Sequence, residues 1–78
     1  MKVIVYSTPT CPYCNLLKDW LTEKKVDFEN IDVSVNREKA EEMIKKTGQM
    51  GVPVTDIDGK IIIGFDKDQL VSVLGLEK

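Results

Sequence analysis

Apolar and polar positions fall into blocks along this chain, and each block has the period of one kind of element. Val3-Ile4-Val5-Tyr6 is a continuous apolar, β-branched run, the pattern of a strand covered on both faces of a sheet. Ser7-Thr8-Pro9-Thr10 reads as a loop, with Pro9 stopping the strand. The period then becomes helical. Tyr13, Leu16, Leu17, Trp20 and Leu21 share one helical face. Pro12 is preset for the first turn, where its missing N–H costs nothing, and Lys24-Lys25 suit the negative end. Val26 to Val33 is a second strand, with Phe28 on one side and Ile31 and Val33 on the other.

After a loop at Ser34-Val35-Asn36, a second helix is predicted over about Arg37 to Thr47, capped by Asn36 and closed by Gly48. Its inner face is Ala40, Met43, Ile44 and Thr47. Glu38, Lys39, Glu41, Glu42, Lys45 and Lys46 form a solvated face with pairs such as Glu41 with Lys45. Gln49-Met50-Gly51-Val52-Pro53 is a loop before a third strand, Val54 to Ile57. Asp58-Gly59 is the strongest hairpin signal in the chain and leads to a fourth strand, Lys60 to Ile63. Asp66 followed by Gln69 resembles a capping box opening a last helix, with Leu70, Val71, Val73 and Leu74 inward and Gly75 closing it. The order is β-α-β-α-β-β-α. The first two strands should be parallel, joined by a right-handed crossover, and the last two antiparallel. The expected fold is therefore α/β, with a four-stranded mixed sheet and three helices in a single domain over residues 1–78.

Composition narrows the class. A chain of 78 residues makes one small domain that buries roughly 60% of its unfolded surface. The content is 42% hydrophobic and 31% charged with a net charge of −2. That predicts a folded, soluble chain with no electrostatic pull toward nucleic acid or anionic lipid. No apolar run approaches the ~18 residues of a membrane span. The N-terminal apolar run is also shorter than a secretory core of about 7–15 residues. The expected setting is a reducing cytoplasm, where a permanent disulfide is disfavoured and a cycling one is not. A monomer is expected.

The candidate chemistry lies at Thr10-Cys11-Pro12-Tyr13-Cys14, which holds the only two cysteines. Two thiols at this spacing, between a strand and a helix, can close a small disulfide ring and reopen it. There is no histidine, so imidazole acid–base chemistry and imidazole metal sites are ruled out. Two thiols alone do not fill a tetrahedral zinc site of about four ligands. Only a thiolate attacks a disulfide. A helix N-terminus favours thiolates, which makes Cys11 the expected nucleophile. Cys14, one turn further in, is the expected resolving thiol. Tyr13 either contacts substrate or packs on its own helix. Phe65 either staples the last helix or lines a substrate groove. Two rival readings stand beside this one. One is an ordinary pair of buried core cysteines. The other is a carrier of metal or an Fe–S cluster held by Cys11 of two chains, for which a neighbouring thiol is a poor fit.

These residues carry a resemblance. Over nearly its whole length the chain resembles the glutaredoxin-like branch of the thioredoxin fold, through Cys11-Pro12-Tyr13-Cys14, Val52-Pro53 and Gly64-Phe65-Asp66. The resemblance implies a dithiol–disulfide oxidoreductase with no bound cofactor besides its redox-active disulfide. It also implies a cis Val52-Pro53 bond beside the thiols and a substrate-binding set of Thr10, Pro12, Tyr13, Val52, Pro53, Gly64, Phe65 and Asp66. Implied partners are disulfide-containing proteins, ribonucleotide reductase among the candidates, with glutathione as co-substrate or a thioredoxin reductase as electron donor.

The departures from that pattern bear on the donor. Glutaredoxins often carry a lysine three residues before the first cysteine, where this chain has Thr8, and a threonine where it has Gly51. Their acid for the glutathione amine is replaced by the cation Lys67. Losing two charge-assisted contacts should weaken glutathione binding by about 3 kcal/mol, over a hundredfold. Gly64-Phe65 is instead similar to the corresponding stretch of NrdH-type redoxins, which thioredoxin reductase reduces. Thioredoxins themselves have a tryptophan before the first cysteine and a buried carboxylate six residues before it, where this chain has Thr10 and Val5.

Overall fold

The computed structural model describes residues 2–49 and 51–75. Met50, in the loop predicted before the third strand, lies outside the described residues. The element order is β1 (Val3–Ser7), α1 (Pro12–Glu23), β2 (Glu29–Asp32), α2 (Arg37–Thr47), β3 (Val54–Ile57), β4 (Lys60–Ile63) and α3 (Lys67–Leu74). The strands form one mixed sheet in the order β2-β1-β3-β4. β1 is parallel to β2 and antiparallel to β3, and β4 is antiparallel to β3.

Strand alternation gives the sheet two apolar faces. On one, Val3, Val5, Ile57 and Ile62 pack with Leu17 and Leu21 of α1 and Leu70 of α3. On the other, Tyr6, Ile31 and Val54 pack with Met43 of α2. The central strands β1 and β3 are covered on both sides, which is why Val3–Tyr6 reads as an unbroken apolar run. The hairpin follows its turn chemistry. Asp58 and Gly59 both have positive φ, 51° and 93°, as a two-residue turn of this kind requires.

α1 docks differently from the periodicity. The buried stripe is Cys14, Leu17 and Leu21, with Trp20 half-buried against it. Leu16, predicted to face inward, is 51% exposed, and Tyr13, which shares its helical face, is 63% exposed. The helix has rolled so that the second cysteine, a small apolar group, points at the sheet. The two larger side chains remain at the surface, at the end of the helix that carries Cys11.

β2 is shorter than the predicted Val26–Val33. α1 ends in a Schellman-type cap: the Lys25 N–H donates to Thr22 O and the Val26 N–H to Leu21 O, with Lys25 at φ 62°. Val26 is thus held by the helix end and cannot join a ladder, although Val26 and Phe28 still pack into the core beneath α1. At the other end Val33 donates to Ser7 O, and Ser34 turns back to the Asp32 carboxylate.

On α2 the predicted Glu41–Lys45 pair gives way to another. Lys46 bonds Glu42 at 3.3 Å, the Tyr6 hydroxyl at 2.8 Å and Asp56 of β3 at 2.6 Å. Asp56 is only 7% exposed. Its charge recruits the nearest long cation off the helix surface, because a buried carboxylate without a partner is costly. Burial alone would pull the Lys46 ammonium down. The bonds to Asp56, Tyr6 and Glu42 outweigh it and hold the group well above the ordinary lysine range.

Candidate active site

Three segments distant in sequence meet at the end of the sheet where β1 finishes. The first is the start of α1. Cys11 is its N-cap residue, in extended conformation at φ −93°, ψ 112°, and Pro12 occupies the first turn. The Cys11 sulfur accepts the backbone N–H of Cys14 at 3.2 Å. This is the N-cap arrangement in which a side chain satisfies a helix donor, with sulfur in place of the usual oxygen.

The second segment is Val52-Pro53, whose peptide bond is cis. The Cys11 thiol points at Val52 O, 3.9 Å away. Pro53 is buried and Val52 half-buried. The third is the turn after β4. Gly64 has φ 81° and donates its N–H to Pro53 O at 2.8 Å, which fastens Gly64-Phe65-Asp66 beside the proline. The three segments singled out in the sequence are therefore joined through two contacts, Cys11 to Val52 and Gly64 to Pro53.

The two thiols differ sharply. Both are free. Cys11 is partly open to solvent and Cys14 is 0% exposed. Burial, reinforced by the hydrogen bond with Cys11, pushes the Cys14 thiol up to about 11, against the weaker pull of a backbone hydrogen bond at Thr8. Cys14 therefore keeps its proton at neutral pH, and Cys11 is the sulfur that a partner can reach. This asymmetry is the one that thiol–disulfide exchange requires.

Thr10, Pro12 and Tyr13 are exposed. Phe65 packs as the staple expected of it. Its ring meets Trp20 edge-on at 6.2 Å and packs against the same core as Leu70, the staple arrangement before the Asp66 cap. It also lines a shallow depression of about 450 Å³ with Ile63, Asp66, Lys67 and Asp68. Asp66 is committed as the cap of α3, accepting the Gln69 N–H at 3.2 Å and the Gln69 side-chain amide at 2.8 Å. The Lys67 ammonium lies 5.4 Å from the Phe65 ring centre. The cation replacing the expected acid is thus held over the wall of the depression. Among the described residues no group of acidic and cysteine side chains is arranged to hold a metal ion.

The sequence reading missed Ile63, which is 52% exposed and lines this depression. Its signal was present. Ile61, Ile62 and Ile63 are consecutive, so alternation must turn the outer two away from the face that buries Ile62.

Known proteins resemble this chain in sequence and in fold. A family model described as Glutaredoxin matches residues 3–62. A glutaredoxin-like 8.6 kDa protein of the rubredoxin operon of Clostridium pasteurianum is 46% identical over 66 residues, covering 85% of this chain and 88% of that one. A mutant of a thioredoxin-like protein superposes with TM-score 0.92 at 29% identity, covering 97% of each chain. The glutaredoxin-like NrdH-redoxin of Escherichia coli, described as having a thioredoxin-like activity profile, superposes with TM-score 0.82 at 26% identity, over 100% of this chain and 97% of that one.

Proposed function

Since the chain belongs to the glutaredoxin family and is a dithiol–disulfide oxidoreductase, we propose how its two thiols divide the work and where its electrons come from. Cys11 attacks a substrate disulfide. A bond forms between the Cys11 sulfur and one substrate sulfur, and the other leaves as a thiolate that takes up a proton. Cys14 then gives up its proton and attacks the Cys11 sulfur. The Cys11–Cys14 disulfide forms and the second substrate sulfur leaves reduced. Two electrons have moved from the protein to the substrate. The observation that carries this division is the contrast between the reachable Cys11 and the wholly buried Cys14.

The substrate backbone lies along Val52 and Pro53, with Thr10, Pro12, Tyr13, Gly64, Phe65 and Asp66 as its walls. The substrates are disulfide-containing proteins, ribonucleotide reductase among the candidates, and the protein works as a monomer in the cytoplasm. A thioredoxin-reductase-type flavoprotein returns the electrons. Three features favour it over glutathione. Thr8 and Lys67 stand where glutathione would need opposite or additional charge. The Asp66 carboxylate is spent on capping α3. The exposed side chains Tyr13, Leu16 and Ile63 suit contact with a protein.

The test supplies NADPH with either glutathione and glutathione reductase or thioredoxin reductase alone, and follows the Cys11–Cys14 disulfide. Fast reduction by the flavoprotein and slow reduction through glutathione is the expected result. Rapid, saturable turnover of a glutathione mixed disulfide, with none by thioredoxin reductase, would make glutathione the donor.

A further inference from the structure

Thr55 is 0% exposed, yet its hydroxyl has no hydrogen-bond partner among the described residues. A buried hydroxyl left unpaired is worse for stability than an apolar group of the same shape. Valine at this position would suit the core better, so the hydroxyl points to another use.

Its position suggests which use. Thr55 lies across from Val5 on β1 and Ile62 on β4, both members of the core beneath α1 and α3. Alternation along β3 puts Pro53, Thr55 and Ile57 on this same face. Pro53 follows Val52, whose carbonyl faces the Cys11 sulfur, so Thr55 is one strand step inward from the site. Along α1 the buried stripe is Cys14, Leu17, Leu21. Leu17 and Leu21 pack in the cluster containing Val5, and Cys14 is one turn nearer the site. Cys14 and Thr55 therefore approach the same end of the same layer, one from the helix and one from the sheet. Ser7 shares this face, but its hydroxyl is engaged with the Asn30 side chain at 2.6 Å.

We propose that Thr55 is a positioning residue for the resolving step, its hydroxyl donating a hydrogen bond to the Cys14 sulfur, directly or through one buried water, as that sulfur becomes a thiolate. This rests on Cys14 being the resolving thiol. In that step Cys14 loses its proton and its sulfur bonds to Cys11. The bond from Cys11 to the substrate sulfur breaks, and the departing thiolate takes up a proton that balances the one released. The thiolate forms in an apolar layer. The charges acting on Cys14 are the Cys11 thiol and the Lys18 ammonium of its own helix. The residues that alternation places on this face of β1 and β3, Val5, Ser7, Pro53 and Thr55, carry no charge. A neutral donor from the sheet is what this layer can offer a transient anion.

The experiment compares the parent protein with Thr55→Val, which keeps the shape and removes the hydroxyl, and Thr55→Ser, which keeps the hydroxyl. A preformed mixed disulfide on Cys11 is allowed to close onto Cys14 across a range of pH. In Thr55→Val, closure at neutral pH should slow roughly tenfold, the worth of one hydrogen bond to a charged group. Its pH profile should move about one unit toward alkali, with a thermal midpoint unchanged or higher. Thr55→Ser should restore both rate and profile. If Thr55→Val does not fold, Thr55→Ala serves for the same comparison. An unchanged closure rate and pH profile without the hydroxyl overturns the proposal. Failure of the underlying reading looks different, because the parent protein itself would then not close its mixed disulfide onto Cys14.

Discussion

The sulfur of Cys11 and the carbonyl oxygen of Val52 are 41 residues apart in sequence and 3.9 Å apart in space. The oxygen accepts the thiol proton. The Cys14 N–H, 3.2 Å away, donates to the same sulfur. The reactive sulfur thus lies between a donor fixed by the helix and an acceptor fixed by the sheet.

The roles of the two thiols are separable by substitution. Cys14→Ser should accumulate a mixed disulfide between Cys11 and a substrate protein, visible as a covalent adduct that reductant removes. Cys11→Ser should accumulate none. In the parent protein alkylation at neutral pH should modify Cys11 first, and faster labelling of Cys14 would reverse the assignment.

Restoring the charges that glutathione needs should change the donor. Thr8→Lys combined with Lys67→Asp replaces two contacts worth about 1.5 kcal/mol or more each. Turnover with glutathione should rise by up to about a hundredfold, while turnover by thioredoxin reductase should not rise. Steady-state kinetics with both donors gives the answer, and no gain with glutathione would mean that neither position touches it.

Alkaline pH should destabilise the reduced protein through Cys14. Its folded value of about 11 lies above the ~8.5 of a free cysteine. The folded state therefore holds a proton that the unfolded state releases. The stabilisation is complete below about pH 8.5 and is lost as pH rises through the folded value, by at most about 1.4 kcal/mol per pH unit. Denaturant titrations of the reduced protein and of Cys14→Ser should diverge across this range. Parallel curves would show that burial does not hold the proton on Cys14.

Lys46 fastens α2 to the sheet, and its loss should be felt in stability. Lys46→Met strips Asp56 and Tyr6 of a shared partner and should cost about 1–2 kcal/mol, less than a fully buried pair because the lysine side chain is 28% exposed. The raised Lys46 value contributes stability that is fully present below the unfolded lysine value of about 10.4 and fades above it. Calorimetry at neutral pH should show the loss, with disulfide exchange nearly unchanged. A variant as stable as the parent would mean that the bonds only balance the cost of burying the charges.

Local rules were enough to read much of this chain. Asn36, Gly48, Asp58-Gly59 and Asp66 fix helix ends and a turn through their own backbone geometry and short-range hydrogen bonds, and α2, β3 and β4 begin and end where those residues require. The dithiol chemistry was equally legible, because Cys11 and Cys14 lie in one short motif, Cys11-Pro12-Tyr13-Cys14. Decisions between elements were not legible. Which way α1 rolled depends on packing against the sheet, and periodicity alone could not tell the stripe of Cys14, Leu17 and Leu21 from one displaced by a residue. The recruitment of Lys46 depends on a carboxylate ten residues away on another element. The start of β2 depends on Val26 being tied to the end of α1. The tertiary structure also decided that Cys14 is buried while Cys11 remains reachable. Three residues of spacing make a disulfide ring feasible, but only the sheet beneath the helix, by excluding water from one sulfur, makes the two thiols chemically different.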